Sequence, residues 1–266
     1  MKKLINYLLA FMLSLLSVNA VAQVSVDSEN KAASGVAIKE YSYKESADSS
    51  YIVADIKYFQ ILGTSDLANV VNNMVLDVYM GMVEGIPDNP NVLIAEYFVI
   101  QNKEIDTLVK EMGETEFLPY SFDYEAQVVL NNDSLFTFKQ FFYDYSGGAH
   151  GNGGEKYNNL DAKTGDRLSL ADLFNEDEIE ALTIMGEKAF REEQEIPNDK
   201  TLNEWGYEFE DGFYLTSNFL INDSNIVFYY APYEIACYAM GASSFELPIE
   251  AIKAKFPDAK LFEYIN

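Results

Sequence analysis

The spacing of apolar residues in the first half of the chain changes from strand-like to helical. Residues 51–61 alternate and are rich in β-branched and aromatic side chains, which predicts a strand. From Leu67 onward apolar residues recur at helical spacing behind a potential N-cap at Ser65, so we expect a helix that continues to Gly85. Residues 92–112 have a broad apolar face and predict a second helix that packs against the first.

The second half of the chain is dominated by strand-like runs that flank short turns rich in Asn, Asp, Ser and Gly. This pattern predicts three hairpins. Asn175 and Glu178 form a capping box that starts a helix ending near Glu193, and residues 245–255 predict a strand that leads into a short helix. The paired hairpin strands are 122–130 with 135–145, 156–160 with 168–170, and 218–221 with 226–230.

Helices and strands therefore come in blocks rather than in strict alternation. This order predicts an α+β fold, with mostly antiparallel sheets packed against a few helices in two αβ halves. We place the halves at residues 38–134 and 135–266. Residues 23–37 are small, polar and aperiodic, which predicts a flexible leader ahead of the folded part.

The first 22 residues have the pattern of a signal peptide. Lys2 and Lys3 precede an apolar run from Leu4 to Val18, which is too short for a membrane span, and Ala20 and Ala22 form an A-x-A cleavage site. We expect export to the periplasm or beyond, cleavage near Ala22, and no membrane span in the mature chain.

The chain is strongly acidic, with 43 acidic and 18 basic residues and a formal net charge of −25. Such a charge repels nucleic acid and anionic lipid, and it attracts basic partners. The acidic clusters at 176–178 and 208–211 match no calcium-loop spacing, so we expect them to be solvated surface.

One cysteine, Cys237, and one histidine, His150, are present. The protein therefore has no internal disulfide, and it lacks the several His or Cys ligands that zinc sites usually require. We expect no metal and no cofactor, and we expect Cys237 to be a small buried apolar residue.

The segment 145–154 contains five glycines and His150 directly after a predicted strand. It predicts a loop that uses positive φ angles or allows a close approach of other atoms. No lysine follows and no helix begins at the loop, so it is not a phosphate-binding loop. His150 is either a hydrogen-bonded structural residue or an acid or base beside a carboxylate.

The segment 228–241 places four tyrosines around Glu234. Tyrosine combines a large apolar face with a polar tip, so this segment could form a platform that stacks on sugars or packs on a partner. The alternative is a strand whose tyrosines fill the core, with Glu234 bonding backbone amides at a turn.

These segments resemble a family of bacterial extracytoplasmic domains found in the RsiV anti-sigma factor and beside the catalytic domain of the PdaC peptidoglycan deacetylase. The matching residues are Tyr145-x-Gly147-Gly148-Ala149-His150, the run from Asn159 to Phe174, and Phe228-Tyr229-Tyr230-x-Pro232-Tyr233-Glu234-Ile235-Ala236-x-Tyr238-Ala239-x-Gly241.

The resemblance implies a non-enzymatic binding module at the cell envelope, with a basic, lysozyme-like protein or a peptidoglycan-type glycan as ligand. A hydrolase that uses His150 with a nearby carboxylate and a purely structural envelope domain are the alternatives. We predict no catalytic residue, and the candidate ligand-binding residues are Tyr145, Gly147, Gly148, His150, Tyr230, Tyr233, Glu234 and Tyr238.

Overall fold

The computed structural model describes residues 25–30, 35–46, 50–77, 89–113 and 119–265. A six-stranded sheet, called sheet 1, has its strands in chain order and is antiparallel except where β3 and β4 run parallel. The connection between these two strands contains two helices, which allows the parallel pairing. The strands are β1 (Ser25–Asn30), β2 (Ile38–Glu45), β3 (Ile52–Ile61), β4 (Tyr120–Asn131), β5 (Leu135–Tyr145) and β6 (Asn152–Asp161).

Helices α1 (Asp66–Leu76) and α2 (Asn91–Met112) cover one face of sheet 1. The Ser65 side chain accepts a hydrogen bond from the Ala68 amide and starts α1, as the sequence predicts. These helices and sheet 1 enclose a hydrophobic core, called the first core. It contains Leu67, Val71 and Val75 of α1 together with Phe136 and Phe138 of β5.

A second core lies between helix α4 (Glu176–Glu193) and a three-stranded antiparallel sheet, called sheet 2. The predicted capping box is present, since Asn175 accepts from the Glu178 amide and Glu178 accepts from the Asn175 amide. The remaining elements are α3 (Leu170–Leu173), β7 (Phe219–Ile221), β8 (Asn225–Tyr230), β9 (Ser243–Pro248) and α5 (Ile249–Lys255), with short 3-10 turns at Asn203–Trp205, Tyr238–Met240 and Lys260–Glu263.

Two asparagines join the sheets. The buried Asn159 of β6 donates to the Phe219 carbonyl at 2.7 Å and accepts from the Ile221 amide at 2.9 Å. Asn218, just before β7, accepts from the Tyr157 amide and donates to the Glu155 carbonyl. These side chains bond to the backbone where a further strand would pair with β6, and they fix how sheet 1 and sheet 2 meet.

The α+β class and the mostly antiparallel sheets are confirmed, and two local predictions are wrong. The proposed leader 23–37 includes β1, which pairs antiparallel with β2. Residues 168–170 do not form a strand, because only Arg167 bridges to Leu160 and a Ser169–Asp172 capping box starts α3 at Leu170.

Two other predictions fall on parts of the chain outside the described residues. These are the signal peptide at 1–22 and the continuation of the first helix from residue 78 to Gly85. Among the residues that are described, no helix is both long enough and apolar enough to cross a membrane.

Candidate functional site

Glycines shape the loop between β5 and β6. Gly147 and Gly148 both have φ of +92°, a backbone conformation that side chains rarely adopt. A Cβ at Gly151 would lie 2.3 Å from the hydroxyl oxygen of Tyr143, so a side chain there would displace the Tyr143 ring. The predicted loop is thus confirmed, although it ends sooner than predicted because β6 begins at Asn152.

The glycine loop and the tyrosine segment lie against each other. The exposed His150 ring stacks on Tyr238, with ring centroids 3.8 Å apart and an interplanar angle of 16°. The Tyr238 hydroxyl donates to the Gly151 carbonyl at 2.7 Å. The Tyr233 ring lies 5.4 Å from that of Tyr238 and is tilted from it by 32°. We call this row of three rings, His150, Tyr238 and Tyr233, the ring surface.

Tyr233 is strongly exposed and has an unusual backbone conformation. Its side chain is 64% exposed, and its φ of +70° places it in the left-handed region, which is uncommon for a bulky residue. The Glu234 carboxylate accepts a hydrogen bond from the Ala231 amide at 2.9 Å, and the Glu234 amide donates to the Ala231 carbonyl. Glu234 therefore bonds backbone at a turn, and this turn presents Tyr233 to solvent.

The tyrosine segment contains both buried and exposed tyrosines. Tyr230 is fully buried, and its hydroxyl donates to the Tyr214 carbonyl. The prediction that Tyr230 binds a ligand is wrong, because α4 covers this face of β8 and its Phe190 packs against the Tyr230 ring. Tyr229 is buried on the opposite face against Tyr157 of β6. The exposed tyrosine surface begins only after the strand ends.

The remaining candidates in the glycine loop support its shape. Tyr145 is partly buried at the end of β5, and its hydroxyl donates to the Gly148 carbonyl at 3.2 Å. Gly147 and Gly148 are exposed, and the turn they form leads directly to His150. These three residues therefore position the histidine rather than extend the ring surface.

His150 has no carboxylate partner among the described residues. Its Nδ1 lies 2.8 Å from the Gly151 carbonyl oxygen, an acceptor, so Nδ1–H donates to it. Within the described ranges, no group of three or more His, Cys, Asp or Glu side chains is arranged to hold a metal ion. The expectation of a buried Cys237 is wrong, because this thiol is exposed beside Tyr238.

A groove of about 730 Å³ adjoins the ring surface and shares Tyr233 with it. The segment before β7 forms the other side, where the Glu208 amide donates to the Ile235 carbonyl at 2.7 Å. We call it the acidic groove. Its lining residues are Glu208, Glu210, Asp211, Gly212, Phe213, Tyr214, Tyr233, Glu234, Ile235, Ala236 and Cys237.

Tyr214 and Glu234 interact across this groove. The Tyr214 hydroxyl donates to a Glu234 carboxylate oxygen at 3.4 Å, and its ring is 42% exposed. Partial burial and the neighbouring charge of Glu234 raise the pKa of Tyr214, so it stays a neutral donor. Tyr214 was not among the candidate residues predicted from the sequence. The alternation of acidic and aromatic residues from Glu208 to Tyr214 was the available signal.

Two known family models match separate parts of the chain. Residues 45–153 match the family model described as deacetylase PdaC, and residues 171–250 match DUF3298, a protein family of unknown function. The predicted resemblance to the PdaC-type region is therefore confirmed at the family level.

Solved structures of DUF3298 proteins share the fold. A member from Bacteroides fragilis is 22% identical with a TM-score of 0.64, and the match covers 89% of this chain and 94% of that one. A member from Pseudomonas aeruginosa is 16% identical with a TM-score of 0.51, and the match covers 91% and 92% of the two chains. No curated protein matches the sequence significantly.

Proposed function

We propose that this protein is an exported, non-catalytic binding module of the bacterial cell envelope, and that the ring surface and the acidic groove contact its ligand. The similarity to a PdaC-type region supports an envelope location. The paired lysines, apolar run and A-x-A site at the start of the chain support export.

The observation that carries the proposal is the open row of rings formed by two segments far apart in sequence. His150 stacks on Tyr238, the Tyr233 ring lies tilted beside Tyr238, and both His150 and Tyr233 are exposed. Exposed tyrosines that are held rigid supply contact area at a low entropic cost, which is why tyrosine is enriched at binding hot spots. A catalytic role has less support, because the only hydrogen-bond contact of His150 among the described residues is to a backbone carbonyl.

We propose a basic protein of the lysozyme type as the ligand. Four carboxylates line the groove beside Tyr233, and the whole chain carries a formal net charge of −25. Complementary charge raises association rates and selects against acidic partners. A peptidoglycan-type glycan could stack on the same rings, but a neutral sugar would gain nothing from this charge.

The test is a calorimetric titration of the purified mature protein with lysozyme at low and at physiological salt. We expect binding that weakens with salt, and we expect Tyr233→Ala to weaken it by about tenfold or more. Phe141→Ala, which removes another exposed ring but from β5, is the matched control and should bind normally.

Two results would contradict this function. One is an absence of lysozyme binding at both salt concentrations. The other is binding that Tyr233→Ala leaves unchanged, which would place the contact elsewhere on the molecule. Binding of soluble peptidoglycan fragments in place of lysozyme would replace the protein ligand by the glycan.

A further inference from the structure

The acidic groove combines unneutralised carboxylates with exposed aromatic faces. Glu208, Glu210, Asp211 and Glu234 line it, and none of its lining residues is a lysine, arginine or histidine. None of these four carboxylates forms an ion pair with a basic side chain in the described part of the chain. The groove is therefore complementary to positive charge over most of its length.

The aromatic lining adds a geometric requirement to this charge. Tyr214 and Tyr233 are 42% and 64% exposed. Glu234 follows Tyr233 in the sequence and accepts a hydrogen bond from the Tyr214 hydroxyl. A planar guanidinium can stack on a tyrosine ring while its N–H groups pair with a carboxylate, whereas an ammonium is compact and strongly hydrated.

Glu234 is held in place for such a contact. One of its carboxylate oxygens accepts from the Ala231 amide at 2.9 Å and the other accepts from Tyr214 at 3.4 Å. Each carboxylate oxygen has two lone pairs, so acceptor capacity remains for an incoming donor. The cost of ordering this side chain is already met within the free protein.

The size of the groove indicates more than one side chain. Its volume of about 730 Å³ exceeds that of any single amino-acid side chain and suits a short extended segment. We propose that the acidic groove selects arginine side chains on an extended, exposed segment of the partner. This inference rests on the proposed function and specifies how the same site recognises a basic protein.

The test uses fluorescein-labelled peptides of equal length built from Gly-Arg, Gly-Lys or Gly-citrulline repeats, with binding followed by fluorescence anisotropy at about 0.15 M salt. Citrulline keeps the planar shape of arginine but has no charge. We expect the arginine peptide to bind at least about tenfold more tightly than the lysine peptide, with no binding of the citrulline peptide.

Variants separate stacking from charge. Tyr214→Leu should reduce the preference for arginine over lysine to less than about threefold, because the stacking face is lost while the carboxylates remain. Glu234→Gln should weaken both basic peptides. Glu180→Gln removes the same charge from an exposed position on α4 that does not line the groove. It should have no effect on the ratio of the affinities for the arginine and lysine peptides.

Equal affinity for the arginine and lysine peptides, or no binding of either, would overturn the inference. So would an arginine preference that survives Tyr214→Leu. The proposed function is judged separately by the lysozyme titration with Tyr233→Ala, so the ring surface can hold while arginine selection fails. An absence of lysozyme binding by the unmodified protein would instead overturn the proposed function itself.

Discussion

The contact between His150 and Tyr238 can be measured as a coupling free energy. The two rings stack at 3.8 Å on a partly exposed surface, and the Tyr238 hydroxyl adds a hydrogen bond to the Gly151 carbonyl at 2.7 Å. Stacked aromatic pairs contribute about 0.5–1.5 kcal/mol beyond burial, and exposure on one side favours the lower half of that range. A neutral hydrogen bond contributes about 1 kcal/mol.

A double-mutant cycle separates these contributions. We expect Tyr238→Phe to lower the free energy of unfolding by about 1 kcal/mol, because it removes only the hydrogen bond. We expect His150→Ala and Tyr238→Ala to show a coupling of about 0.5–1 kcal/mol in urea unfolding. The control cycle pairs His150→Ala with Tyr264→Ala, whose hydroxyl contacts Asp161 at the opposite end of β6, and it should be additive.

A coupling below about 0.3 kcal/mol for His150 and Tyr238, together with a neutral Tyr238→Phe, would refute the reasoning. That result would mean that the glycine loop and the tyrosine segment do not pack as one unit in solution. The ring surface would then not exist as described.

Two further predictions concern the stability of the fold. Asn159→Ala should lower the free energy of unfolding by about 2–4 kcal/mol, since it leaves the buried Phe219 carbonyl and Ile221 amide without their partner. Asn198→Ala, at an exposed position, is the control and should change this free energy little. Equal effects of the two substitutions in urea unfolding would contradict the role of Asn159. The Ser169 hydroxyl and amide lower the pKa of Asp172 below its ordinary value of 3.8. The ionised carboxylate therefore stabilises the fold above pH 3.8, and this contribution is lost as the pH falls through the lower pKa of the folded state. The stability difference between the wild type and Asp172→Asn should therefore be present at neutral pH and disappear in acid, and a difference that persists in acid would contradict the capping role.

Much of the fold follows from local patterns in the sequence. The caps at Ser65 and Asn175 and two of the three hairpins are where periodicity and turn composition predict them. These features depend on residues within a few positions of each other. The parallel pairing of β3 with β4 depends on contacts across a connection that contains two helices, so no local signal could reveal it.

The sequence alone could not distinguish the exposed tyrosines from the buried ones. Strand alternation predicts that Tyr229 and Tyr230 face opposite sides, yet both are buried because α4 covers one face of β8 and Tyr157 of β6 lies on the other. Only the turn after β8, where Tyr233 adopts a positive φ, brings a tyrosine to the surface.

The acidic groove could not be predicted from the sequence for a related reason. Its two sides come from segments about twenty residues apart, joined by the hydrogen bond from the Glu208 amide to the Ile235 carbonyl. The acidic residues at 208–211 are exposed, as their composition predicts. Their position opposite Tyr233 follows from tertiary packing, which a local pattern does not contain.

The central claim is that the glycine loop and the tyrosine segment bind a ligand together. Amide hydrogen exchange measured with and without saturating lysozyme tests it most directly, because exchange reports each segment separately. We predict that residues 147–151 and 231–241 become protected together, while the turn at 161–166 on the opposite end of β6 does not. Protection confined to other regions, or to only one of the two segments, would contradict the claim.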